Sequence, residues 1–157
     1  MSRQRIEYFT VFIVGAFGYG LIELFVRGRT HISMGLLGGA AMLFIHTLGN
    51  RRRNGMMILT AALSSALFIT MVEYVTGIIL NIELGLGIWD YSNLSFNLRG
   101  QICAEYSLKW VLVSLFGLFA DELIRKALFK SDIFIINKSR LHMPLMFHRQ
   151  KGGKIYE

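Results

Sequence analysis

Charge is what this chain has least of. Only 17% of its residues are Asp, Glu, Lys or Arg, against roughly a quarter in an average globular chain. The single Cys103 excludes an internal disulfide framework, a Cys-cluster zinc site and a CxxC redox motif. One proline excludes a proline-rich disordered chain, and glycine without a triplet period excludes collagen. There is no HExxH, GxSxG, Walker or dinucleotide motif, so no enzymatic signature stands out. His31, His46, His142 and His148 are dispersed without metal-ligand spacing and read as interfacial residues. No cofactor and no metal is expected, and Cys103 has no histidine partner that would make it a thiol nucleophile.

Apolar sequence fills the space that charge leaves. Hydrophobic residues make up 54%, and the mean hydropathy is +0.48. A net charge of +7 would suit nucleic acid, but a soluble nucleic-acid binder would not carry this much apolar sequence. The lipid bilayer is the expected partner, and nucleic acid is not.

A membrane-spanning helix needs about 20 largely apolar residues, because a 1.5 Å rise must cross about 30 Å of hydrocarbon. Four stretches qualify: Tyr8 to Val26, Ile32 to Leu48, Met56 to Leu80, and Gln101 to Ala120. The first resembles a signal peptide, with Arg3 and Arg5 ahead of it, but its run is longer than usual and leads straight into another apolar segment. It is expected to be retained. The predicted fold is an all-α polytopic membrane protein with a transmembrane domain over 1–130, an outer loop over 81–100 and a basic tail over 131–157.

Lys and Arg fix the expected orientation. Arg3, Arg5, Arg51, Arg52, Arg53 and the basic residues from Arg125 onward fall on one side, and only Arg27, Arg29 and Arg99 on the other. Both termini are predicted in the cytoplasm, with the chain in the cell membrane. Pairs of small residues four apart, Ala16–Gly20, Gly35–Gly39 and Ala62–Ala66, predict close helix packing. LIELFV at 21–26 echoes MVEYVT at 71–76, which points to a two-fold repeat of helix pairs about an axis along the membrane normal.

Ionisable groups in hydrocarbon need a reason, since each costs at least about 2.5 kcal/mol even on lenient insertion scales. Glu23, Glu73, Glu105 and Lys109 share the outer half in this topology, and Glu105 and Lys109 can pair along one helix face. Three readings stand side by side: pairing that holds the helices together, an outward-facing polar ligand or ion site, and, with the least weight, a catalytic centre. In the second, Glu23 and Glu73 converge beneath the outer loop with a proton, cation or basic side chain between them. Lys109 and Arg99 are the nearest candidates by depth, with Asp90 and Asn97 supplying hydrogen bonds. Trp89, Tyr91 and Asn93 complete the candidate set. The loop's aromatics suit the headgroup region, Asp90, Asn93 and Asn97 suit turns, and Gly100 suits the bend before the fourth span.

The stretch WDYSNLSFNLRGQIC, from Trp89 to Cys103, together with VEYVTG at 72–77, resembles the bacterial family labelled Putative ABC-transporter type IV, or putative ABC transporter permease. The resemblance is best over Glu73 to Leu115, with a counterpart in Glu23 to Gly39. It implies a transport-related subunit in a plasma membrane and, through the family name, an ATPase partner. Glu105 and Lys109 depart from the family's apolar pattern and are expected to be particular to this chain. Four short helices enclose little space, so a homo-oligomer is expected. The alternative is a non-transporting membrane protein: a sensor, an assembly factor or a lipid-facing enzyme. The tail alternates apolar clusters with basic residues and suits an anionic leaflet.

Overall fold

A computed structural model describes residues 3–129. The basic tail at 131–157 lies outside them, as do His142 and His148. Where an apolar run meets glycine or a capping side chain, a helix begins or ends. Helix α1 (Arg3–Arg27) stops at Gly28, whose φ of +68° is left-handed and whose N–H returns to the Leu24 carbonyl at 2.9 Å. Helix α2 (Ile32–Arg53) opens on extended His31, whose Nδ1 accepts the Ser33 amide at 3.3 Å. Helix α3 (Ile58–Gly77) continues into a π-helical turn, Ile78–Glu83. After the loop, strands β1 (Asn97–Leu98) and β2 (Ile102–Cys103) pair antiparallel, with Asn97 opposite Cys103. Helix α4 (Ala104–Phe129) closes the bundle.

Among the described residues the regular structure is helical apart from that short ladder. Three helical segments among the described residues are long and apolar enough to cross a membrane: Gln4–Arg27, Ile32–Arg53 and Ile58–Glu83. Helix α4 is not among them. Its uncharged middle, Trp110 to Ala120, is bracketed by Glu105 and Lys109 on one side and Asp121 and Glu122 on the other.

The boundaries also differ from the hydropathy reading. Gln101 to Cys103 belong to the turn and ladder rather than to a fourth helix, and α4 runs nine residues past Ala120. Hydropathy could not see this extension, because Asp121 and Arg125 are charged yet buried. At the other side of the loop, helical structure persists to Glu83 instead of ending at Leu80.

Helix α2 is the centre of the bundle, packed against α1, α3 and α4, while α1 and α4 meet only sparsely. The tightest approach is at Gly15 and Gly38. A Cβ on Gly15 would collide with Met42 and stand 2.6 Å from the Gly38 carbonyl oxygen; one on Gly38 would collide with Tyr19 and stand 2.6 Å from the Gly15 oxygen. The expected pair Ala16–Gly20 is one position off this contact, and a Cβ at Gly20 would meet nothing. Gly39 makes room for the Phe12 ring, and Ala61, Ala62, Ser65 and Ala66 are buried along α3. One apolar core sits at the terminal end, around Val11, Ile45, Ala62 and Leu118. A second, around Met34, Trp89, Tyr91 and Cys103, sits under the loop.

Candidate functional site

The loop is held down by two amides that motif reading passed over. Asn81, on the π-helical turn, donates to the Trp89 carbonyl at 2.9 Å and to Gln101 Oε1 at 2.8 Å, and accepts the Ile88 amide at 2.7 Å. Trp89 Nε1 donates to the Gln101 carbonyl at 3.0 Å, so its ring is pinned inward, 3% exposed. Gly77 permits this closure. A Cβ there would lie 2.6 Å from Gln101 Oε1 and 3.1 Å from the Trp89 ring.

With Trp89 anchored, Tyr91 enters the bundle. Its amide donates to the Gly100 carbonyl at 2.7 Å, and its ring stacks on Tyr106 with centroids 4.5 Å apart. The Tyr91 hydroxyl donates to Glu73 Oε1 at 3.0 Å and accepts from Arg27 Nη2 at 3.0 Å. Trp110 Nε1 donates to Glu73 Oε2 at 2.8 Å. Arg27 in turn pairs with Glu23 at 3.4 Å, one helical turn back. Glu23 and Glu73 are therefore joined through Arg27 and Tyr91. Both carboxylates are buried, at 5% and 2% exposure. Burial, and then the Glu73 carboxylate beside it, push the Tyr91 phenol above its ordinary range, so it stays a donor.

This linked set runs between two cavities. Glu23 and Arg27 line a shallow polar one of about 170 Å³ with Arg29, Thr30 and His31. Glu73, Tyr19 and Trp110 line an apolar groove of about 240 Å³ walled by α1 and α4 and floored by α2.

The remaining candidates from the sequence lie elsewhere. Glu105 and Lys109 pair with each other at 2.6 Å on an exposed face, half open to their surroundings. Arg99 is exposed with φ +53°, and its carbonyl accepts from Gln101. The basic group between the glutamates is Arg27, not Lys109 or Arg99, because an i to i+4 step places it directly over Glu23. Asp90 and Asn97 do not reach the glutamates. Asp90 caps Ser92, and Asn97 ties the Ser92 and Leu94 carbonyls to the Gly100 amide. Asn93 is exposed. Gly100 has the expected left-handed φ, +68°.

At the opposite end a second buried polar cluster went unforeseen. His46, expected at an interface, is 1% exposed. Its Nδ1 lies 2.6 Å from Asp121 Oδ1. Arg125 donates to Asp121 Oδ2 at 2.7 Å, Asn50 Oδ1 at 2.6 Å and the His46 carbonyl at 2.6 Å. Glu7 stands 3.6 Å from both His46 and Arg125. The cluster ties α1, α2 and α4 together. Arg52, also buried, faces Glu122 at 3.9 Å. The four-residue spacing of Asp121 and Arg125 was the available signal.

A family model described as Putative ABC-transporter type IV matches residues 12–146. The chain belongs to that family. The match takes in both buried glutamates, Arg27, the whole loop and α4. No curated protein and no solved structure matches the chain. Family membership and three membrane-capable helices make this a membrane protein of a transporter family.

Proposed function

We propose that this protein is a permease-like subunit of an ATP-driven transporter, and that the set Glu23–Arg27–Tyr91–Glu73 is its outward-facing polar site. The observation that carries the reading is the continuity of that set from the lining of the polar cavity to that of the apolar groove. Two buried carboxylates linked through one guanidinium and one phenol form a centre that a solute or ion can rearrange, whereas a purely structural tie needs no adjoining cavities.

In this proposal α4 is a fourth membrane span. Its 26 residues reach about 39 Å at 1.5 Å per residue, and its inward charges are met within the bundle by His46, Asn50 and Glu7. Both termini then lie in the cytoplasm and the loop end faces outward, in agreement with the Lys and Arg count. The pairing of α1 with α2 and of α3 with α4 supports a two-fold repeat about the membrane normal, with Glu23 and Glu73 as its equivalent members. A homo-oligomer in the plasma membrane and an ATP-hydrolysing partner, the latter from the family description, complete the reading.

Affinity purification of the tagged chain from native membranes in mild detergent, followed by an ATP hydrolysis assay, tests the transporter assignment. A stoichiometric nucleotide-binding subunit with hydrolytic activity is the expected result. A chain that elutes alone and inactive from gently solubilised membranes would argue for the sensor or assembly-factor class.

A further inference from the structure

The groove between α1 and α4 has a chemistry that singles out one kind of occupant. Its walls are apolar, and its rim residues Val14, Ile22 and Phe116 are 41%, 47% and 74% exposed, so it opens on the flank of the bundle. Gly18 leaves the α1 wall open: a Cβ built there meets nothing within 4 Å. Towards the loop end the lining changes to Tyr19, Trp110 and Glu73, with the two rings 5.7 Å apart.

Among the described residues, no cation touches Glu73 directly. Glu73 is touched by two neutral donors, the Tyr91 hydroxyl and the Trp110 N–H. Arg27 is already committed to Glu23 and to the Tyr91 oxygen, and Arg29 is exposed on the Glu23 side. A buried carboxylate with two aromatic rings beside it is the arrangement that recognises organic cations, through charge and through the ring quadrupole. At about 240 Å³ the groove exceeds the roughly 150 Å³ of a dry cavity that accepts benzene. It therefore holds a short alkyl chain or a single ring, and its open rim lets a longer chain run on into lipid.

We propose that the groove binds lipophilic ammonium compounds, with the apolar body between α1 and α4 and the cationic head against Glu73, Trp110 and Tyr19. This rests on reading the Glu23–Glu73 set as the transport site and gives that site a substrate class.

Calorimetric titration of the full chain in nanodiscs with decyltrimethylammonium, with empty discs subtracted, tests it. Decanol and decanoate carry the same chain on neutral and anionic heads. Saturable binding of the cation alone is expected, weakened at least about tenfold by Glu73→Gln, since one lost charge contact is worth that factor. Gly18→Leu should weaken it as well, by filling the groove where there is room for a side chain. Signal no greater than in empty discs, decanol or decanoate binding as tightly as the cation, or unchanged affinity in folded Glu73→Gln would each overturn the proposal. Should Glu73→Gln fail to fold, Gly18→Leu decides: lost binding supports the site and parent-like binding removes it. If no cation binds while Glu73→Gln still silences the ATP hydrolysis of the purified complex, the substrate class falls and the transport site stands.

Discussion

The Tyr91 hydroxyl accepts from Arg27 and donates to Glu73, each at 3.0 Å, so one phenol oxygen joins the two glutamate-bearing helices. Replacing Tyr91 with Phe removes both bonds and leaves the ring stack on Tyr106. Hydrogen bonds to charged groups contribute about 1.5–3 kcal/mol each, so thermal unfolding in detergent should fall by an amount of that order. An unchanged midpoint would mean that water replaces the hydroxyl.

The same phenol makes the protein sensitive to alkali. Its folded-state pKa lies above the ordinary phenol value of about 10, so the stability it contributes is complete below that pH and declines as pH rises past it. Ultraviolet titration should therefore show fewer tyrosines ionising before unfolding than the six the chain contains, with Tyr91 among those held back. Tyr91→Phe should leave the pre-unfolding amplitude unchanged, and a smaller amplitude would show that Tyr91 titrates freely.

Gly77 is expected to be intolerant of even a methyl group. Gly77→Ala drives a Cβ to 2.6 Å from Gln101 Oε1 and 2.9 Å from Gln101 Cβ, and overpacking of this kind costs about 1–3 kcal/mol. Limited proteolysis should then cut the loop between Leu84 and Gly100 sooner than in the parent. Gly20→Ala, where a Cβ meets nothing, serves as the control.

How much of this was legible from residues alone follows the physics of each signal. Apolar runs announced four helices, because hydropathy sums over about 20 residues, and three of them are long and apolar enough to cross a membrane. Glu23 and Glu73 were legible as misfits in those runs. Tyr91 and Trp89 were legible as loop residues, but not as groups turned into the bundle, since that depends on Asn81 and Gln101 closing the loop over Gly77. Arg27 was counted as a surface charge although its four-residue spacing from Glu23 matched that of Lys109 from Glu105. His46, Asp121 and Arg125 were unreadable as one cluster, because their contact spans 75 and 79 residues of sequence and no local pattern encodes it.

Removing one member of that terminal cluster should cost far more than removing two. Arg125→Gln leaves Asp121 buried without its cation, and a broken buried pair typically loses about 3–5 kcal/mol. Adding Asp121→Asn should restore a substantial part of the unfolding midpoint. Strict additivity of the two changes would show that the groups do not interact.

The proposed orientation places Thr30 and Asn54 on opposite sides of the membrane. Cysteine at Thr30 should react with an impermeant maleimide in intact cells, and cysteine at Asn54 only after permeabilisation, with native Cys103 silent because it is buried. Labelling of Asn54→Cys from outside would invert the topology.

The central claim is that the buried Glu73, at the end of the Glu23–Arg27–Tyr91 set, governs transport rather than only holding helices together. The most direct measurement is the ATP hydrolysis rate of the complex purified with its nucleotide-binding subunit, for the parent and for Glu73→Gln at matched yield. The expected result is equal assembly and a Glu73→Gln rate well below the parent's. Equal assembly with an unchanged rate would contradict the claim and leave Glu73 a structural residue.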